Sequence, residues 1–124
     1  MQLILRTTLV LHVSGVLVQS VFAGQFLAGA DRDVAFHERT AWVLLAICAV
    51  QIITAFLASR AGLATLWLVL GSVFVFLAEG LQMGTGYGRF LSVHIPLGVI
   101  VFGAVTWQAI SVFRAPVAAG APAR

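Results

Sequence analysis

Two histidines carry the chemistry most accessible to this sequence. His37 stands in F-H-E-R-T-A, Phe36 to Ala41, and His94 in L-S-V-H-I-P-L-G, Leu91 to Gly98, each at the head of a long apolar run. An imidazole is expensive inside an apolar segment and effective as a metal ligand. Sliding the chain by 57 residues places His37 on His94, and with them Gln25 on Gln82, Gly29 on Gly86, Arg32 on Arg89, Ala41 on Gly98 and Gln51 on Gln108. Glutamine, arginine and histidine are scarce here, so their joint recurrence reads as an internal repeat.

The elements that must position these residues follow from composition. The chain has 124 residues, 61% hydrophobic and 9% charged, with a mean hydropathy of +1.08. That balance excludes an ordinary soluble domain and implies an all-α membrane protein. At about 20 residues per span there is room for four transmembrane helices, over residues 7–29, 36–59, 64–83 and 91–113. These runs are too long and too uniformly apolar for barrel strands. S-V-F-A-G, Ser20 to Gly24, has the small residues of a signal-peptide cleavage site, but the apolar run continues to Gly29 and is read as a span. The tail, residues 115–124, is rich in proline and alanine and reads as disordered.

The repeat makes this a four-helix bundle of two tandem helical hairpins with pseudo-twofold symmetry along the membrane normal. His37 and His94 then lie at equal depth and face each other. Helical spacing groups His37, Ala41, Leu44, Cys48 and Gln51 on one stripe, and His94, Gly98, Val101, Val105 and Gln108 on another. A closed zinc site asks for four ligands from Cys, His or carboxylate, and only two histidines converge here with no thiolate nearby, whereas a porphyrin asks for only two axial ones, so a matched pair of imidazoles points to haem b. The small Ala41 and Gly98 leave space on the ligand face, and Gly24, Gly29, Gly84, Gly86, Gly88 and Gly98 gather at that end. Arg32 and Arg89, in the adjoining loops, are placed to meet propionates. With no C-x-x-C-H motif the haem is expected to be held non-covalently.

The other polar residues have plainer readings. Gln51 and Gln108 join helices by hydrogen bonds. Pro96 either fits the first turn of its helix or kinks it. Cys48, the one cysteine, reads as a small apolar helix residue. His12 breaks the repeat, at roughly 20 Å from Gln25 along the first span, and its stripe of Thr8, Gly15 and Gln19 points away from the Gln25 and Gly29 face. It reads as a histidine snorkelling to the interface or bonded to a neighbour, with an oligomer contact or a quinone or proton-handling role as the functional readings. Glu79, one turn from Gln82, is expected to be protonated, paired or part of a proton path, and ranks next after the two histidines.

These residues resemble a known family. A glutamine and glycine late in each odd helix and a histidine early in each even one, twice over four spans, are similar to one four-helix half of haem A synthase, the cytochrome oxidase assembly family. The segment Gln25-Phe26-Leu27-Ala28-Gly29 also resembles the end of the first span in a group of small bacterial four-helix membrane proteins. The resemblance covers Val18 to Phe113 and implies a haem b clamped by the histidine pair. Where the synthase's catalytic half has a glutamate three residues before its first histidine, this chain has Val34, with Asp33 and Glu38 out of register.

The resulting expectation is a small b-type cytochrome binding one haem through His37 and His94 and transferring electrons between quinol and a redox partner protein. The alternatives are a half-size haem A synthase-like enzyme that modifies its haem, and a cofactor-free accessory subunit of a membrane complex, with a homo-oligomer compatible with each. No nucleic-acid partner is expected. Arg6, Arg60, Arg114 and Arg124 lie on one side without an acid, whereas Arg32, Arg39 and Arg89 on the other are offset by Asp31, Asp33 and Glu38. That places both termini in the cytoplasm of a bacterium and the histidine pair near the outer face of its inner membrane.

Overall fold

The computed structural model describes residues 1–30 and 32–114, with the side chain of Asp33 omitted, and is all-helical. The proline- and alanine-rich tail expected to be disordered lies outside the described residues. The helices are α1 (Gln2–Leu27), α2 (Asp33–Arg60), α3 (Leu66–Tyr87) and α4 (Leu91–Arg114), and all four are long and apolar enough to cross a membrane. Their ends do not match the apolar runs. Helix α1 starts before residue 7 and α3 continues past residue 83 to Tyr87. A helix propagates through polar residues as long as each turn closes its hydrogen bonds, so hydropathy marks the apolar section and not the helix.

What ends three of the helices is visible in the backbone. After α1, α2 and α3 the chain makes the same paired closure: Ala30 N–H donates to Gln25 O while Gly29 donates to Phe26 O. Leu63 and Gly62 repeat it onto Ala58 and Ser59, and Phe90 and Arg89 onto Thr85 and Gly86. This motif requires a left-handed residue, which glycine supplies at Gly29 (φ 98°) and Gly62 (φ 71°), but which Arg89 must supply after α3 (φ 57°). A residue with a Cβ is held there at a cost of about 1–2 kcal/mol. Arg89→Gly is therefore expected to stabilise the bundle by about 1 kcal/mol, seen as a higher thermal midpoint in detergent.

Pro96 falls inside α4, in its second turn and beyond the first-turn position that would accommodate it without loss. The Ser92 carbonyl thereby loses its usual donor four residues on.

The helices form a ring in which α1 packs on α2 and α4, and α3 packs on α2 and α4. Helices α1 and α3 face each other across one diagonal, and α2 and α4 across the other. The interior has three layers. Nearest the chain termini is an apolar cluster of Leu5, Leu9, Ala55, Ala58, Leu68, Val69 and Val112. Further along lies a second, of Cys48, Val75, Ala78, Val101 and Val105. Each helix contributes a polar residue between or beside these clusters: His12, Gln51, Ser72, Glu79 and Gln108 are all buried. The outer surface, by contrast, is covered by exposed Leu, Val, Ile, Phe and Trp side chains.

Candidate functional site

At the end carrying the α1–α2 and α3–α4 connections, the two histidines come together. The rings of His37 on α2 and His94 on α4 lie 5.9 Å apart between centroids, inclined at 64°. Neither hangs free. His37 Nδ1–H donates to the Gln19 carbonyl at 3.1 Å, and His94 Nδ1–H donates to the Gln82 carbonyl at 2.8 Å. Helix α1 thus orients the α2 histidine, and α3 orients the α4 histidine. A carbonyl on Nδ1 fixes the tautomer, leaving on each ring an Nε2 lone pair that could bind a metal.

Gln19 plays a second part. Its side-chain Nε2 lies 3.4 Å from His37 Nε2, so it covers that lone pair, while its Oε1 is buried with no partner among the described residues. On the other side the Gln82 carboxamide fills the space beside Gly98, where a Cβ would come within 2.6 Å of Gln82 Nε2. A Cβ on Gly86 would meet the His94 ring at 3.0 Å, so that glycine sets how closely α3 approaches the ring. At Gly24 and Gly84 a Cβ would meet nothing within 4 Å, and Gly29 is needed for its left-handed φ and not for close packing, so of the glycines at this end only Gly86, Gly88 and Gly98 are closely approached by a neighbour.

The other residues expected at this site are spread around its edge. Ala41 and Gly98 are half-buried on the faces of α2 and α4 that carry the histidines, and Gln82 is half-buried beneath His94. Gln25 is exposed in the last turn of α1, where its carbonyl closes the turn. Arg32 and Arg89 are exposed in the connections, but their backbones differ: Arg32 precedes α2 in a right-handed conformation, whereas Arg89 is the left-handed residue after α3. A polar chain not anticipated from the sequence completes the rim, with Trp42 Nε1–H donating to Tyr87 Oη at 3.3 Å and Tyr87 O–H donating to Glu38 Oε1 at 2.8 Å.

A second constellation lies deeper. His12, Gln51, Ser72, Glu79 and Gln108 form one connected network spanning all four helices. His12 Nδ1–H donates to Gln51 Oε1 at 2.9 Å, and His12 Nε2 shares a hydrogen bond of 2.6 Å with Glu79 Oε1. Gln51 Nε2 donates to Gln108 Oε1 at 2.8 Å and to Ser72 Oγ at 3.0 Å. The expected joining of helices by Gln51 and Gln108 is therefore present, with Gln51 as the hub.

Of the two plain readings of His12, the bond to a neighbour is the one present. The side chain does not snorkel: it is 0% exposed and paired across the α1–α3 diagonal. The Leu5, Thr8, Leu9 and His12 stripe is the inward face of α1, so the Gln25 and Gly29 direction was the wrong guide to the interior. Thirteen residues at about 100° each leave Gln25 about 140° around the helix from His12. Glu79 is paired, as its cost in an apolar segment required.

Sequence reasoning missed Gln19 as the anchor of His37. It lies 18 residues before its histidine, whereas Gln82 lies only 12 before His94, so a single offset cannot pair the two glutamines. No protein-family model, curated protein or solved structure matches this chain.

Proposed function

We propose that this protein is a small membrane cytochrome that holds one haem b between His37 and His94 and transfers electrons. The observation that carries the reading is the opposed imidazole pair with both Nδ1 atoms tied to helix carbonyls. Two imidazoles bound end-on to one atom, at about 2.0 Å each, have ring centres roughly 6 Å apart, close to the 5.9 Å observed. The residues present also fit the group chemically. Gln19 keeps an unused buried acceptor beside the ligand atom, and its carboxamide is the group that turns aside on binding. Arg32 and Arg89 supply cations for propionates at the exposed rim. A bis-imidazole haem supplies a one-electron couple with no open coordination position, which favours electron transfer over oxygen chemistry.

Membrane insertion is part of the proposal. Support comes from the inverted distribution of side chains, with polar residues inside and large apolar ones outside. The two-hairpin symmetry is supported by the pairing of Gln19 with His37 and Gln82 with His94, provided the first hairpin is allowed six more residues between its glutamine and its histidine. The arginine distribution favours cytoplasmic termini in a bacterial inner membrane, which puts the haem near the outer face, accessible to quinol and to an external acceptor. The resemblance to half of a haem A synthase is carried as part of the same proposal, with Val34 at the glutamate position weighing against haem modification as the function.

The test is a haem count on the purified protein, with one non-covalent haem b per chain expected and a haem-free protein contrary to the proposal. A finer test is Gly86→Ala. Its methyl must push the His94 ring by a few tenths of an ångström and disturb the bond to Gln82. Retained haem is expected to fall severalfold with little change in helical content.

A further inference from the structure

The buried junction places three metal-ligating side chains from three helices together. The donor atoms of His12 on α1, Cys48 on α2 and Glu79 on α3 all lie within 4.8 Å of one another. We propose that His12, Cys48 and Glu79 form a binding site for a divalent transition-metal ion of the zinc class, separate from the histidine pair near the helix connections.

Four observations carry this. Glu79 is 93% removed from solvent, at 7% exposure, yet its Oε2 has no hydrogen-bond partner among the described residues. A buried carboxylate oxygen normally has a partner, so this one has capacity to spare for a ligand. Second, His12 already carries the orienting contact that metal-bound imidazoles have: Gln51 Oε1 accepts from Nδ1–H and directs Nε2 toward Glu79. Third, the Cys48 sulfur lies beside the His12 and Glu79 donor atoms from α2, and its contact to the Ser72 carbonyl is a long one of 3.6 Å. Fourth, the charges balance. One thiolate, one carboxylate and one neutral imidazole around a dication sum to zero, the only total a solvent-free interior tolerates cheaply.

The donor set also selects the metal. Mixed sulfur, nitrogen and oxygen ligands suit zinc and its first-row neighbours and are poor for magnesium or calcium. Binding displaces two protons, one from the thiol and one from the His12–Glu79 hydrogen bond, so the metal replaces a proton as the link between α1 and α3. The site lies about 10 Å along α1 from Gln19, the residue that anchors His37, at about 1.5 Å per residue. Haem and metal occupancy are therefore separately measurable.

The experiment is a cobalt(II) titration of tag-free, full-length protein in detergent, followed by displacement with zinc. Cys48 is the chain's one cysteine, so a thiolate-to-cobalt charge-transfer band reports this site without any variant. One cobalt per chain is expected, with the band bleached by zinc. Cys48→Ala is expected to abolish the band, and Glu79→Gln to weaken uptake by at least about tenfold, since loss of even an orienting partner costs that much. Helical content and haem content, read on the same samples, show whether the variants remain folded and keep the two proposals apart. A wild-type titration without the band overturns the proposal, as does metal uptake that Cys48→Ala and Glu79→Gln leave unchanged.

Discussion

Replacing either His37 or His94 with alanine is expected to abolish the six-coordinate, low-spin haem spectrum of the purified protein. The two ring centroids lie 5.9 Å apart, the rings inclined at 64°, and no other histidine is near enough to substitute, because His12 is engaged at the buried junction by Gln51 and Glu79. A single substitution leaves at most one axial imidazole, and therefore a high-spin or haem-free protein. The fold should survive. Both rings are only half-buried, and each removes one hydrogen bond to a carbonyl that is already a helix acceptor, so the expected stability loss is about 1 kcal/mol. Absorption spectra and helical content measured on the same preparation separate loss of ligation from loss of structure.

The second large effect concerns stability. Gln51→Leu removes the hub of the buried network. It strands the Nδ1–H of His12 and takes one donor from Gln108, two groups that are themselves buried. Unsatisfied buried polar groups cost about 1–3 kcal/mol each, so Gln51→Leu is expected to destabilise the bundle by roughly 2–4 kcal/mol, measured as denaturant or thermal unfolding in detergent. Replacing Gln108 with leucine in the same chain should restore part of that loss, because removing both members of a buried pair is far milder than removing one.

How much of this was legible in the sequence differs from residue to residue. The four helices were, because apolar runs of this length have few alternative structures. The approach of His37 to His94 was also legible, because an imidazole at the head of an apolar run stands out and its 57-residue recurrence ties the two together. The inward face of α1 was not. In a bundle whose outer surface is as apolar as its interior, hydropathy does not say which side of a helix faces in. Only the polar residues mark the interior, and α1 offers conflicting ones: Gln25 at its end, His12 and Gln19 along its length. The structure resolves the conflict by using His12 and Gln19 and leaving Gln25 exposed. The contact between His12 and Glu79 was hidden for a related reason. It crosses a diagonal between helices that do not pack directly, and long-range pairing of single polar residues leaves no periodic trace.

The most direct test of the central claim is the visible absorption spectrum of the full-length protein, expressed with adequate haem, purified in detergent and recorded oxidised and reduced. A sharp Soret band with resolved α and β bands on reduction, of the low-spin bis-imidazole kind and at one haem per chain, is the expected result. A folded, helical protein that remains colourless, or that binds haem only in a high-spin form insensitive to His37→Ala and His94→Ala, would contradict it.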